Sequence, residues 1–130
     1  MNSVILCGDI MKPSEDKLKW CAKQQHGIRI TRESLPLQKA YLKKSENAIK
    51  SMDANVKEGI NEWVVSTSYY AKYFVVYSLL SRIGIKCEIH DCTISLFDYL
   101  FTDKIPPKLI RDFQQSKDDR MDAQYYTHSI

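Results

Sequence analysis

Between Pro36 and Pro106 the chain contains no proline and only two glycines, Gly59 and Gly84. A stretch with so few breakers has little choice but helix, and its two glycines mark where helices stop. The apolar pattern agrees. Leu37, Tyr41, Ala48, Ile49, Met52 and Val56 recur at spacings of three, four or seven, while Lys39, Lys43, Lys44 and Glu46 fill the other face. This predicts an amphipathic helix ending near Gly59. From about residue 60 to residue 83 the next segment is apolar over most of its circumference, with Trp63, Val64, Tyr70, Ala71, Phe74, Val75, Tyr77 and Leu80. Such a helix belongs at the centre of a bundle or at a dimer interface. A third segment, carrying Ile94, Leu96, Phe97, Leu100 and Phe101, is expected to stop near Lys104. Pro106 and Pro107 then suit the first turn of a fourth helix with Leu109, Ile110, Phe113, Met121 and Tyr125. Four helices with short connections predict an all-α, antiparallel up-and-down four-helix bundle over residues 35–130.

Residues 1–34 lack that periodicity and read as an N-terminal arm, less protected than the bundle. Ser14 as N-cap, Glu15 and Asp16 in the first turn and Gly27 as a stop predict one short helix within it. The sequence "IRIT" after Gly27 reads as an extended connector.

Hydrophobic residues make up 44% of the 130, enough for the core of one ordered domain. A net charge of +3 permits a nucleic-acid partner without arguing for one. No apolar run is long enough to span a bilayer, and "MNSVILCGD" lacks the basic start of a signal peptide. The expectation is therefore a cytoplasmic protein without membrane attachment. Its four cysteines, Cys7, Cys21, Cys87 and Cys92, are expected to be free thiols.

The densest chemistry lies in "GIKCEIHDCTISLF", residues 84–97, where Cys87, Glu88, His90, Asp91 and Cys92 fall within six positions. A structural metal is disfavoured. Five residues along a helix set Cys87 and Cys92 about 140° apart, and no second pair of ligands has a recognisable spacing. Cys87 and His90 could meet across one turn as a nucleophile and base, but no oxyanion-hole motif accompanies them. A plain helix start accounts for Glu88 and Asp91, whose charges complement the helix dipole. His90 heads the row His90, Ile94, Phe97, Phe101, at the polar end of a core-facing stripe. Core histidine and functional histidine both remain open for it. The rings of Tyr69, Tyr70, Tyr73, Phe74 and Tyr77 likewise read as packing, with a base-stacking platform as the alternative.

The order of "SYYAKYFVVYSLLSRIGIKCEIHDCTISLF", then "IPPKLI", then "RMDAQYY" resembles the HEPN domain (higher eukaryotes and prokaryotes nucleotide-binding), over about residues 35–127. The resemblance implies a compact helical bundle that pairs as a homodimer. It also implies a place in toxin–antitoxin pairs, beside a minimal nucleotidyltransferase partner. In many relatives the HEPN protein is a metal-independent ribonuclease. Its motif is an Arg, four to six residues and a His, whereas here seven residues separate Arg82 from His90, and seven separate Arg120 from His128. Relatives often carry a Lys two positions before the histidine, where this chain has Glu88. The expectation is thus a non-catalytic subunit that binds a nucleotide or docks a partner. Its phosphate contacts would come from Lys86, Arg120 and Tyr70, with neither metal nor cofactor. One alternative is an RNA-cleaving toxin with His90 as proton shuttle and Arg82, Lys86 or Arg120 as phosphate clamp. The other is a helical homodimer with an unrelated binding role.

Overall fold

A computed structural model describes residues 15–125. Cys7, Ser14 and His128, each named above, lie outside the described residues. The elements are α1 (Glu15–Lys23), β1 (Arg29–Ile30), α2 (Leu35–Glu58), α3 (Asn61–Ile83), β2 (Ile85–Lys86), α4 (His90–Phe101) and α5 (Pro107–Tyr125). The fold is an all-α helical bundle with one small two-stranded ribbon.

Local chemistry sets the helix ends. The Ser34 side chain accepts from the Leu37 N–H at 3.1 Å, and Pro36 sits in the first turn of α2. Gly59 closes α2 at φ 73° and Gly84 closes α3 at φ 82°. Gly84 has a second reason to be glycine. A Cβ there would lie 2.8 Å from the Thr31 carbonyl oxygen, against which the segment before α2 is laid. In return Thr31 N–H donates to Gly84 O at 2.8 Å, and Ser34 N–H to Ser81 O at 2.9 Å. The third bundle helix ends at Phe101 rather than near Lys104, because the chain turns there with Lys104 and Ile105 both donating to Phe101 O.

The core sits between α3, α4 and α5. Tyr69, Tyr73, Val76 and Leu80 supply one wall, Ile94, Leu96 and Phe97 the second, and Ile110 and Phe113 the third. Every residue of α4 from Cys92 to Asp98 is buried. α2 closes the opposite side of α3, where the Ser45 hydroxyl donates to Ala71 O at 2.7 Å. Most of the apolar circumference of α3 is therefore used within one chain, although Trp63, Val75 and Ile83 stay exposed on it. Leu35, Leu42, Ile49 and Val56 recur every seven residues along α2 and are between 41% and 58% exposed.

The expectation of free thiols is overturned. Cys21 and Cys92 form a disulfide that joins α1 to the first turn of α4, while Cys87 remains a buried free thiol packed beside it. Two separate backbone contacts bring the partners together. β1 pairs antiparallel with β2, Arg29 opposite Lys86, and Glu88 N–H donates to His26 O at 2.8 Å. Lys17 adds an ion pair to Asp91 at 2.7 Å. The described part of the N-terminal arm is thus tied to the bundle at both its helix and its strand. With one pair oxidised, cysteine usage carries no argument for a reducing compartment. Among the described residues, no helix is long and apolar enough to cross a membrane.

Because Cys21 and Cys92 are 71 residues apart, the bridge removes much loop entropy from the unfolded chain. Cys92→Ser should lower stability by about 2–4 kcal/mol. Reductant should do the same to the wild type and nothing further to the variant. Denaturant curves recorded with and without reductant check this, and a wild type indifferent to reductant would contradict it.

Candidate functional site

Three tyrosines on α3, Tyr69, Tyr73 and Tyr77, stand four residues apart and so share one face. Their rings are mostly buried, and a buried phenol needs a partner for its hydroxyl. All three find one in the stretch just before and inside α4. Tyr77 donates to Cys87 O at 2.6 Å, Tyr73 approaches Thr93 Oγ1 at 3.5 Å, and Tyr69 meets His90 Nδ1 at 2.7 Å. Thr93 also donates to Cys87 O at 2.9 Å, so two hydroxyls hold the carbonyl that precedes the turn into α4. His90, the first residue of that helix, is fixed as a result. Its ring stacks on Tyr73 with centroids 4.2 Å apart and stands edge-on to Tyr70 at 6.4 Å.

α5 brings the cation. The Arg120 guanidinium lies 5.1 Å from the Tyr69 ring centre and 5.5 Å from that of Tyr70, as a cation over two aromatic faces. It donates to Gln124 Oε1 at 2.8 Å and reaches the Tyr70 hydroxyl at 3.5 Å. No carboxylate among the described residues pairs with it, and its Nε is buried without a hydrogen-bond partner.

Protonation states follow from this packing. Burial pushes the Tyr69 phenol far above its ordinary value and Tyr73 up to about 12, so both keep their protons. Burial also lowers the pKa of His90, and the positive charges of Arg120 and Lys117 lower it further. A protonated phenol beside a neutral imidazole fits a Tyr69 O–H donated to Nδ1. The imidazole proton then sits on Nε2, which becomes a donor. His90 and Arg120 thus both present donors, on a floor of tyrosine rings.

The sequence-predicted residues divide. His90, Arg120 and Tyr70 come together. Arg82 does not join them: it pairs with Glu33 at 3.2 Å, thirteen residues and about 20 Å of helix beyond Tyr69. Lys86 lies on the ribbon and lines a different cleft of about 530 Å³ with Thr31, Tyr41 and Tyr77. The two acids expected to oppose an anion at His90 are engaged elsewhere. Glu88 turns to Arg29 and lies 3.5 Å from His26, and the hydrogen bond from Arg29 holds its carboxyl below the usual range. Asp91 is held down in the same way, chiefly by Lys17. Sequence reasoning missed Tyr69 as the partner of His90. Its only signal was the four-residue spacing that sets it on one face with Tyr73. Among the described residues, no three His, Cys, Asp or Glu side chains converge to hold a metal.

A family model described as HEPN domain matches residues 38–129. No curated protein and no solved structure matches the chain. α1, β1 and the cysteine at position 21 lie ahead of the matched segment.

Because the folded state lowers the pKa of His90, the unfolded chain takes up this proton first as pH falls. The stability this gives is fully present above the ordinary histidine value, about 6.5, and is lost as pH drops from there through the lower folded value. NMR titration of the His90 ring should show a depressed midpoint in the wild type and a higher one in Arg120→Gln, which removes a positive charge. A midpoint unmoved by that substitution would break the link between the two residues.

Proposed function

The chain belongs to the HEPN domain family, and on that premise we propose that it binds the phosphate of a nucleotide or of RNA between Arg120 and His90, without cleaving it. The observation that carries this reading is the Tyr69–His90 hydrogen bond beneath an arginine that has no acid partner among the described residues. An unneutralised guanidinium held over aromatic rings is a seat for an anion, since its geometry suits two phosphate oxygens at once. Tyr69 occupies Nδ1, the nitrogen that would otherwise act as base. Through Nε2 the ring can give a hydrogen bond to a phosphate oxygen, but it cannot take a proton from a 2′-hydroxyl in that state. Lys117 adds positive charge nearby, as its effect on His90 shows. This favours a binding subunit over the ribonuclease reading. Arg82, one of the clamps that reading allows, has its charge committed to Glu33.

We extend the proposal to assembly. The stripe Leu35, Leu42, Ile49, Val56 on α2 has the seven-residue repeat of a helix–helix seam, and a second copy of the same helix suits it. Lys39, Glu46 and Asp53 run beside the stripe at the same interval. An antiparallel pair centred between Leu42 and Ile49 sets Lys39 of each chain near Asp53 of the other, while the two Glu46 side chains meet near the axis, each with Lys43 of its own chain 3.7 Å away.

Two measurements test these statements. Arg120→Ala should weaken binding of a mononucleotide by roughly tenfold or more, the size of a charge-assisted contact, while Arg82→Ala leaves it unchanged. Equal losses in both variants, or wild-type cleavage of RNA that His90→Ala abolishes, would reject the binding reading. For the assembly, light scattering should report a dimer at micromolar concentration, and the double change Leu42→Glu, Ile49→Glu should give a folded monomer. A monomeric wild type would rule the α2 pairing out.

A further inference from the structure

The Gln124 side chain that accepts from Arg120 also borders a second feature. This is a cleft of about 280 Å³, lined by Glu62, Trp63 and Ser66 of α3 and Gln124 of α5. Ser66 is only 2% exposed, yet its hydroxyl has no hydrogen-bond partner. A helical serine or threonine ordinarily returns its proton to a carbonyl one turn back. Thr67 does so with Trp63 O at 2.6 Å, and Ser78 with Val75 O at 2.6 Å. Ser66 does not, and it faces the cleft instead. An unpaired buried hydroxyl costs stability, so its presence points to a partner that arrives from outside.

The other walls say what kind of partner. Trp63 is 50% exposed and offers an indole face for stacking. Gln124 accepts from Arg120 through Oε1, which leaves its amide hydrogens to donate. Glu62 supplies two carboxylate oxygens that accept only. The set calls for a flat ring with adjacent N–H donors on one edge and an acceptor on another.

We infer that this cleft is a base subsite selective for guanine. The N1–H and N2–H₂ groups of guanine form adjacent donors that match the two oxygens of one carboxylate. Its O6 can take the Gln124 amide, its adjacent N7 can accept the Ser66 proton, and the purine ring covers the indole. Adenine presents a bare N1 to the same carboxylate and is repelled. The smaller rings of cytosine and uracil stack less. This inference rests on the phosphate reading above and deepens it: Ser66 and Tyr70 are one turn apart on α3, about 6 Å of rise, the order of the separation between base and phosphate in a mononucleotide.

The chain has two tryptophans, so a Trp20→Phe background leaves Trp63 as the reporter. In that background, fluorescence quenching is titrated with guanosine, with the four mononucleotides and with inorganic phosphate. GMP should bind more tightly than AMP, CMP or UMP, and guanosine should quench without any phosphate. Glu62→Gln should cost guanosine and GMP roughly ten- to a hundredfold, as expected for hydrogen bonds to a charged group, and leave phosphate binding as it was. Both Trp63 and Glu62 lie on the exposed first turn of α3, so their variants are expected to fold, and circular dichroism verifies it. Equal affinity for all four mononucleotides, or a Glu62→Gln protein unchanged toward GMP, overturns the guanine subsite while the phosphate site survives. Guanosine binding that gains nothing from a phosphate, with Arg120→Ala neutral, leaves the subsite standing and removes the phosphate site. A protein that binds neither guanosine nor GMP loses the subsite outright.

Discussion

Three buried phenols organise this molecule. Tyr69, Tyr73 and Tyr77 fill the centre of the bundle with aromatic surface, but each also carries a hydroxyl that cannot be left dry and unpaired. The partners come from a single short stretch, Cys87 through Thr93. That requirement draws the chain after Gly84 back along α3 instead of letting α4 begin at once. It sets the height at which α4 starts and turns His90 inward onto the rings. The ribbon and the Cys21–Cys92 bridge then hold the same stretch from its other side. The polar cluster that stands out in the sequence is thus the polar lining of an aromatic core, and its histidine is placed by that role.

Structure and chemistry at His90 do not compete. The stacking on Tyr73 and the hydrogen bond from Tyr69 are what a core histidine needs. They also fix which nitrogen carries the proton, on a histidine that feels the positive charge of Arg120, an arginine no described acid neutralises. A satisfied interior residue thus presents a donor at its free end, which is what the proposed phosphate contact requires. The acids at positions 88 and 91 fit the same picture, because Arg29 and Lys17 draw their charge toward the arm and away from the rings.

Most of the fold was legible in the sequence because it depends on local rules. Gly59 and Gly84 stop their helices through left-handed backbone, Ser34 and Pro36 start α2, and a 3.6-residue pattern names the buried faces. What depends on distant pairing was not legible. "IRIT" reads as extended, yet nothing in it says that Arg29 will lie opposite Lys86. The disulfide joins residues whose spacing carries no motif, and only that pairing brings them together. Arg82 and Arg120 both stand as candidates beside His90 in the sequence, and nothing local chooses between them. In three dimensions α3 carries Arg82 to the far end, where it pairs with Glu33, and α5 lays Arg120 over the Tyr69 and Tyr70 rings. The apolar circumference of α3 reads as a helix for the centre of a bundle or for a dimer interface. α2, α4 and α5 of the same chain cover most of it and leave Trp63, Val75 and Ile83 exposed.

The bridge between Cys21 and Cys92 closes a covalent ring that contains α2, α3, β1 and β2. The chain leaves the ring at Cys92, inside α4, so the rest of α4 and all of α5 lie outside it. The halves of the site therefore belong to different topological parts: His90, Tyr69 and Tyr70 to the closed ring, Arg120 to the open tail. Oxidation restrains the unfolded ring and does nothing for the tail. The bridge therefore restrains only one half of the site, and the guanidinium and one wall of the guanine cleft are held to it by noncovalent contact, chiefly the packing of Ile110 and Phe113 against the tyrosine face.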